Sequence, residues 1–212
     1  MSPSRDIQNR KAGGVRHRPY HHGNLREALL DAAETMIEGG TAYEISLREL
    51  GRAVGVSHTS AQRHFADRRD LLDALAQRGF DRLGAALAEP VDDRALSFDA
   101  RLTRLARAHV GFAERHPALF RWMSEAMGLA DAPAPLLAAR NRAFAPASSI
   151  FADGQAARAV VPGDPEHLGL ASFAAVQGLI AMSPGSRFDG LSLDTLIGGV
   201  IERIILGLRP RP

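Results

Sequence analysis

Residues 58–64 read HTSAQRH, in which His58, Thr59, Ser60, Gln62, Arg63 and His64 carry hydrogen-bonding side chains and no acid interrupts them. Such a run offers donors and acceptors to base edges and no charge that phosphate would repel, which suits a groove of double-stranded DNA. Arg48, His58, Thr59, Ser60 and Gln62 are the candidates for base edges, and Ser46, Arg63, His64, Arg68 and Arg69 those for phosphates. A second group is apolar. Phe112, Phe120, Trp122, Met123, Met127, Phe144 and Phe151 concentrate in an otherwise Ala-rich second half. Large side chains beside many alanines leave room between helices, so with His109 as a polar member they are candidates for a small-ligand pocket. Each of these aromatics taken singly is equally an ordinary core residue.

Catalysis and metal binding fare worse. Glu114 and His116 stand two apart and cannot share a helix face, whereas His109 and His116, seven apart, can. No nucleophile motif, phosphate-binding Gly loop or HExxH spacing occurs. His17, His21 and His22 lack a nearby acid or Cys partner, and Cys is absent from the chain, so neither a metal nor a cofactor is expected.

The elements that must position these residues are helices. Ser46 is an N-cap, and Leu47, Leu50 and Val54 recur at spacings of three and four on one buried stripe. Gly55 ends that helix where a left-handed residue is required, Val56 fills the corner, and Ser57 caps a second short helix over 57–65. That second helix has only Ala61 and Phe65 to bury, so most of its faces are polar. The same αα corner occurs in proteins that never meet DNA, and a solvated surface helix is the alternative that spacing alone leaves open. Ahead of the corner, Leu25, Ala28, Leu29, Ala32, Ala33, Met36 and Ile37 form the apolar face of a helix over 24–38, with Asn24 and Glu27 as a capping pair and Gly39-Gly40 as its stop.

Residues 1–20 carry Pro3, Gly13-Gly14 and Pro19 with few large apolar groups, and are expected to form a flexible basic arm in which Arg16 and Arg18 are the residues suited to DNA. Residues 21–80 are the expected helix-turn-helix domain, and 81–212 a helical ligand-binding and dimerisation domain. A fourth helix from 67 or 68 to about 89 joins them. Helices follow over 98–115, 117–127, 135–151 with a kink at Pro146, 165–182 opened by Asp164, and 191–208, about nine in all. The fold class is therefore all-α. Helix eight carries Ala171, Ala174, Ala175, Gly178 and Ala181, and helix nine is apolar over more than one face, which suits a four-helix dimer interface made from two copies of these helices, with a helix buried within a monomer as the alternative.

Charge agrees with this division. The net +2 lies wholly in residues 1–80, which hold 12 basic and 10 acidic residues, against 14 of each in 81–212. No apolar run reaches the length of a membrane span and the N-terminus lacks a signal-peptide core, so a cytoplasmic protein with no membrane partner is expected.

Ser46, Leu50-Gly51, Gly55-Val56-Ser57, His64-Phe65, Arg68 and Leu71 together resemble the DNA-binding domain of the tetracycline-repressor (TetR) family, over residues of about 21–80. The chain has Gln62 where the family usually has Tyr, and Ala61 where it usually has Leu. HPALFRWM and VQGL look like a subgroup with a Trp-x-x-x-His-Gly signature, in which Phe173 and Gln177 here replace the Trp and the His. The resemblance implies a transcriptional regulator, most simply a repressor, that binds a palindromic DNA operator as a homodimer and is released by a small apolar effector lodged between helices four to seven. The rival classes are a ligand-sensing helical protein, or a small-molecule enzyme, without DNA binding.

Overall fold

Among the described residues five helices begin on a side chain that accepts an N–H of its own first turn, which removes one of the donors a helix start leaves unpaired. After α1 (Leu25–Glu38), Ser46 opens α2 (Leu47–Ala53), its hydroxyl accepting the Glu49 N–H at 3.2 Å and donating to Glu49 Oε2 at 2.9 Å. Ser57 opens α3 (His58–Gln62), Asp67 opens α4 (Arg68–Asp92), and Ser97 opens α5 (Phe98–Arg115). Next come α6 (Pro117–Met127) and α7 (Ala134–Ala156), then α8 (Pro165–Met182), opened by Asp164, which accepts the Glu166 N–H at 2.9 Å, and α9 (Leu193–Leu208). The computed structural model describes residues 25–40, 45–128, 131–182 and 193–211, and among these there are nine helices and no strand. The expected basic arm, with Arg16 and Arg18, the three histidines at 17, 21 and 22, and the Asn24 cap lie outside the described residues.

The corner between α2 and α3 depends on two glycines. Gly55 has φ +76°, the left-handed conformation that its place after α2 predicts. Gly51 lets the two helices close together, because a Cβ there would stand 3.1 Å from the Val56 carbonyl oxygen. Leu29, Leu30 and Ala33 of α1 pack with Leu47 and Leu50 of α2, and Ala61 and Phe65 seal the underside of α3.

Two helices run past the ends expected of them. The α4 helix continues through Pro90 to Asp92 instead of stopping near residue 89. Leu87 and Val91, one turn apart, are both buried, and the Val91 carbonyl, one of those a helix end leaves without an N–H partner, accepts a bond from the buried Arg101 guanidinium at 2.9 Å. The α7 helix contains Pro146 and extends to Ala156, because Ile150, Phe151 and Gly154 still face the core; a Cβ at Gly154 would come within 2.8 Å of the Phe98 ring. The α3 helix is shorter than expected, ending at Gln62. Phe65 follows it outside the helix, buried, with its N–H on the Ala61 carbonyl.

The expected division at residue 80 falls inside α4, so one helix carries the core of both halves. Leu71, Leu72 and Leu75 meet the first three helices, while Phe80, Leu83 and Leu87 lie in the same buried cluster as Leu119, Met123 and Phe151 from the later ones. A smaller cluster, Ala106, Val110, Val176, Leu179, Ile197 and Ile201, joins α5 to α8 and α9. Where α4 crosses α7 the backbones nearly touch: a Cβ on Gly84 would stand 3.1 Å from Ala143 Cα. A bulky branched side chain has no rotamer that escapes that contact. Gly84→Val is expected to lower unfolding free energy by roughly 1–3 kcal/mol, read as an earlier urea midpoint with unchanged slope.

Candidate DNA interface and interior cavity

The short α3 presents the expected polar face. His58, Thr59, Gln62, Arg63 and His64 are exposed and Ser60 is half-buried, while Ala61 and Phe65 are buried. Its start is held by Ser57, whose hydroxyl accepts the Ser60 N–H at 3.1 Å and lies 2.9 Å from the Ser60 hydroxyl. The face is therefore rigid at its base and free at its tip. Arg48 is exposed on α2. Ser46 has the capping role given it by sequence, with its hydroxyl committed to Glu49 on both sides.

The two arginines that open α4 are engaged within the protein. Arg68 Nε donates to the Ile45 carbonyl at 3.0 Å, fixing α4 to the start of α2. Arg69 donates to Asp73 at 3.1 Å and to Asp131 at 3.4 Å. Those bonds, to Asp131 first and Asp73 second, push its pKa above the ordinary arginine value. Its charge is shared with two carboxylates that compete with any phosphate. The Asp131 partner lies far along the chain, so no local pattern announces it.

The apolar candidates divide. A cavity of about 40 Å³ is walled by His109, Phe144 and Phe151 together with Leu87, Phe173 and Ile204 among others. A second void of about 10 Å³ is lined by His109, Phe120, Met123, Met127, Phe144 and, from α8, Phe173 and Gln177. His109, Phe144 and Phe173 border both and form the partition between them, with the Phe144 and Phe173 rings 4.6 Å apart and His109 5.2 Å from Phe173. Two candidates line neither void. Phe112 packs on His116 and Phe120, and Trp122 turns toward the first half of the molecule, its Nε1 donating to the Leu72 carbonyl at 3.0 Å. The space is also not confined to α4–α7 as expected, since α8 walls both voids and α9 supplies Ile201 and Ile204 to the larger. Helical spacing shows that a residue is buried, not what it is buried against. Phe173 and Gln177 are the residues missed, and the signal was their substitution into the family signature.

His109 is the polar centre of this interior. It is 4% exposed, and its Nε2 lies 3.1 Å from Gln177 Oε1. Gln177 Nε2 donates in turn to Ser124 Oγ at 3.1 Å, and Ser124 donates to the Phe120 carbonyl at 2.9 Å. Each step sets the next. Because the serine hydroxyl spends its proton on the carbonyl, it must accept from the glutamine amide, which leaves the glutamine oxygen toward His109 and places the imidazole proton on Nε2. Burial lowers the His109 pKa below its ordinary value, outweighing the opposing effect of the Gln177 bond, so the ring is neutral near pH 7.

Other features tie the two halves together through α6. His116 leaves the start of α6 without a side-chain cap of its own, and Glu38, at the end of α1, supplies it by accepting the N–H groups of Leu119 at 3.2 Å and Ala118 at 3.4 Å. Among the described residues no group of three metal-ligating side chains occurs, and no helix is long and apolar enough to cross a membrane.

Comparison with known proteins accords with this architecture. Residues 102–205 match the model of the tetracyclin repressor-like C-terminal domain. A protein of unknown function from Rhodococcus sp. RHA1 is 36% identical and superposes with a TM-score of 0.83 over 92% of this chain and 100% of that one. A TetR family transcription regulator from Marinobacter aquaeolei VT8 shares the fold at 18% identity, with a TM-score of 0.70 over 89% of this chain and 97% of its own. The nucleoid occlusion factor SlmA of Marinobacter nauticus is 31% identical over 98 residues, 44% of this chain, and the chain spans about half, 48%, of that curated relative. Residues 102–205 therefore belong to the tetracyclin repressor-like C-terminal domain family, and the all-helical fold of the described residues is the one that solved TetR family transcription regulators share.

The buried imidazole makes stability depend on pH. Below about pH 6.5 the unfolded chain takes up a proton at this residue that the folded chain refuses, so its contribution is complete above that pH and is lost as pH falls. The loss from this one group has a limiting slope of about 1.4 kcal/mol per pH unit. His109→Phe leaves Gln177 Oε1 unpaired and is expected to lower stability at pH 8 by about 1–3 kcal/mol, yet to lose less than the parent between pH 6.5 and 5, both read from urea denaturation.

Proposed function

We propose that this chain is a dimeric, effector-responsive regulator that represses by occupying a palindromic operator, reading base edges with Arg48 and the exposed face of α3. The observation that carries this is the composition of α3 and the three residues after it: over 58–65 only Ala61 and Phe65 are buried, and every strongly polar side chain is turned outward without an acid among them. A helix with so little core contact is held rigid by its Ser57 cap and its two anchors, as a reading head requires. Arg63 and His64 would meet phosphates beside it. Arg68 and Ser46 would act chiefly by fixing the corner, and Arg69 contributes less because Asp73 and Asp131 hold it.

Dimerisation is supported by an unpartnered apolar surface. On α8 the outward residues Leu170, Ala171, Ala174, Ala175, Gly178 and Met182 are all apolar and exposed, Leu170 to 63%. On α9, Leu206 is 53% exposed, and a Cβ placed on Gly198 or Gly199 would meet nothing. A second copy covering this face would bury it and bring helices together closely at the small residues. Two-fold symmetry would then space the two α3 helices about 34 Å apart, one turn of DNA.

Release would work through α6. Its Phe120, Met123 and Met127 line the smaller void, while its first turn is capped by Glu38 of α1 and its Trp122 is bonded to α4. An effector that binds a spread dimer in preference by about 1.4 kcal/mol weakens operator binding tenfold.

Fluorescence anisotropy titrations on the DNA upstream of its own gene test the reading. Specific binding should exceed that to scrambled duplex, and Arg48→Ala should remove roughly 1–3 kcal/mol of the specific term while sparing the rest. Arg63→Ala should weaken all sequences alike and flatten the salt dependence by about one counterion. Absence of binding to any duplex at low salt would end the proposal. Separately, Ala174→Arg should give a folded monomer by light scattering and lose operator affinity, whereas an unchanged dimer would move the interface away from α8.

A further inference from the structure

The walls of the interior space say what kind of molecule it can take, given the effector-responsive reading on which this inference rests. No Arg, Lys, Asp or Glu lines either void. A carboxylate, phosphate or ammonium entering there would be desolvated without a counter-charge, a penalty that excludes charged ligands in practice. The walls are instead aromatic, with edge-to-face contacts running from Phe120 through His109 to Phe173 and on to Phe144. Edge-to-face packing of this kind continues readily onto another flat ring.

The polar chain supplies one directional feature. His109 donates through Nε2 to Gln177, so Nδ1 is the nitrogen left with a lone pair, and the ring borders both voids. That is an acceptor, and it calls for a ligand with one hydroxyl or N–H donor. The size of the space adds a condition. A cavity of about 40 Å³ is smaller than the volume on the order of 150 Å³ that admits benzene. Room is gained by moving the partition, since Phe144 and Phe173 are only half-buried and the second void lies directly behind them.

We propose that the cavity binds an uncharged aromatic molecule bearing a single hydrogen-bond donor, a phenol being the simplest, which displaces the Phe144–Phe173 partition, merges the two voids and bonds to His109. Selection against anions and cations follows from the empty charge inventory of the walls. Selection for the donor follows from the bond order Phe120 carbonyl, Ser124, Gln177, His109, which fixes the tautomer.

Isothermal titration of the full chain at pH 7.5 with four matched probes tests this: para-cresol, toluene, 4-methylbenzoate and 4-methylbenzylammonium. Cresol is expected to bind, toluene about tenfold more weakly for want of the hydrogen bond, and both ions on the order of a hundredfold or more below cresol. In His109→Phe, cresol and toluene should fall within about threefold of each other, which needs only that the variant fold well enough to bind toluene. The measurements on the unmodified chain stand without the variant. Binding of either ion as tightly as cresol, equal binding of cresol and toluene, or no binding by any of the four would overturn the proposal. A parallel assay of release from promoter DNA separates it from the reading beneath it. If an acid or an amine releases the protein while cresol does not bind, the ligand class is wrong and effector control stands. If cresol binds as described but neither it nor a broad compound panel alters DNA affinity, the ligand class stands and effector control fails.

Discussion

The near-contact of α4 with α7 at Gly84 and Ala143 is the constraint on which the rest of the molecule depends. Helices whose backbones approach this closely have little freedom to rotate or slide, because any side chain between them would collide. The later part of α4 is therefore fixed in the second half of the protein. Its first part carries Leu71, Leu72 and Leu75 into the three-helix unit beneath the polar face of α3, and Arg68 holds the Ile45 carbonyl just ahead of α2. A displacement of α4 must move that unit with it. Ion pairs reinforce the same rigid link: Arg78 pairs with Asp31 and Arg82 with Glu34, both reaching α1. These pairs are partly exposed and contribute modestly, so apolar packing remains the dominant tie.

If α4 were the only connection, the interior cavity would have just one route to the first half of the molecule. The α6 helix provides a second, by a different kind of force. Its start is closed by Glu38, a charge on an exposed helix end, and its Trp122 bonds the carbonyl of Leu72 in the first half of α4. Hydrogen bonds have a narrow range of good geometry, so a small rotation of α6 breaks or bends them where a greasy contact would merely slide. The cavity-facing and domain-facing sides of α6 are thus mechanically joined over a single short helix. The pocket lined by Ile37, Arg68, Leu72, Arg121 and Glu125 between them leaves space for such a movement.

Much of this was legible where the physics is local. Gly55 demanded a left-handed residue, Ser46 and Ser57 had free N–H groups to cap, and α5, α6 and α8 have the boundaries that spacing, proline and cap residues imply. What was not legible is decided by residues distant in sequence. Arg69 looked like a free cation because Asp131 stands on a loop after α6. Trp122 and Phe112 looked like pocket residues because periodicity marks burial without naming the neighbour. Proline at 90 looked like a stop, but the helix continues to Asp92, where Val91 is buried and its carbonyl, left over at the helix end, bonds Arg101 from the next helix. Gln177 could be seen to differ from a family signature. Only the meeting of α5, α6 and α8 shows that it orders a chain of three hydrogen bonds.

The two faces of α8 carry the remaining consequence. Its inner face bears Ser172, Phe173, Val176 and Gln177 toward the cavity, and its outer face bears Leu170, Ala174 and Gly178 toward solvent. Alanine and glycine on the outer face leave little side-chain bulk to absorb a shift, so a movement of Phe173 that pushes the helix is passed through its backbone to whatever covers that face. In a dimer joined there, the angle between subunits would follow the state of the cavity, and the separation of the two reading heads would follow the angle. A rotation of a few degrees at α8 is magnified by the distance to α3. In such a dimer, repacking at the partition would have two outputs, one along α6 and α4 within a subunit and one across the two-fold axis. Both act in the same sense if the spread dimer is the form with the enlarged cavity, because the effector then gains its binding preference from a single repacking event.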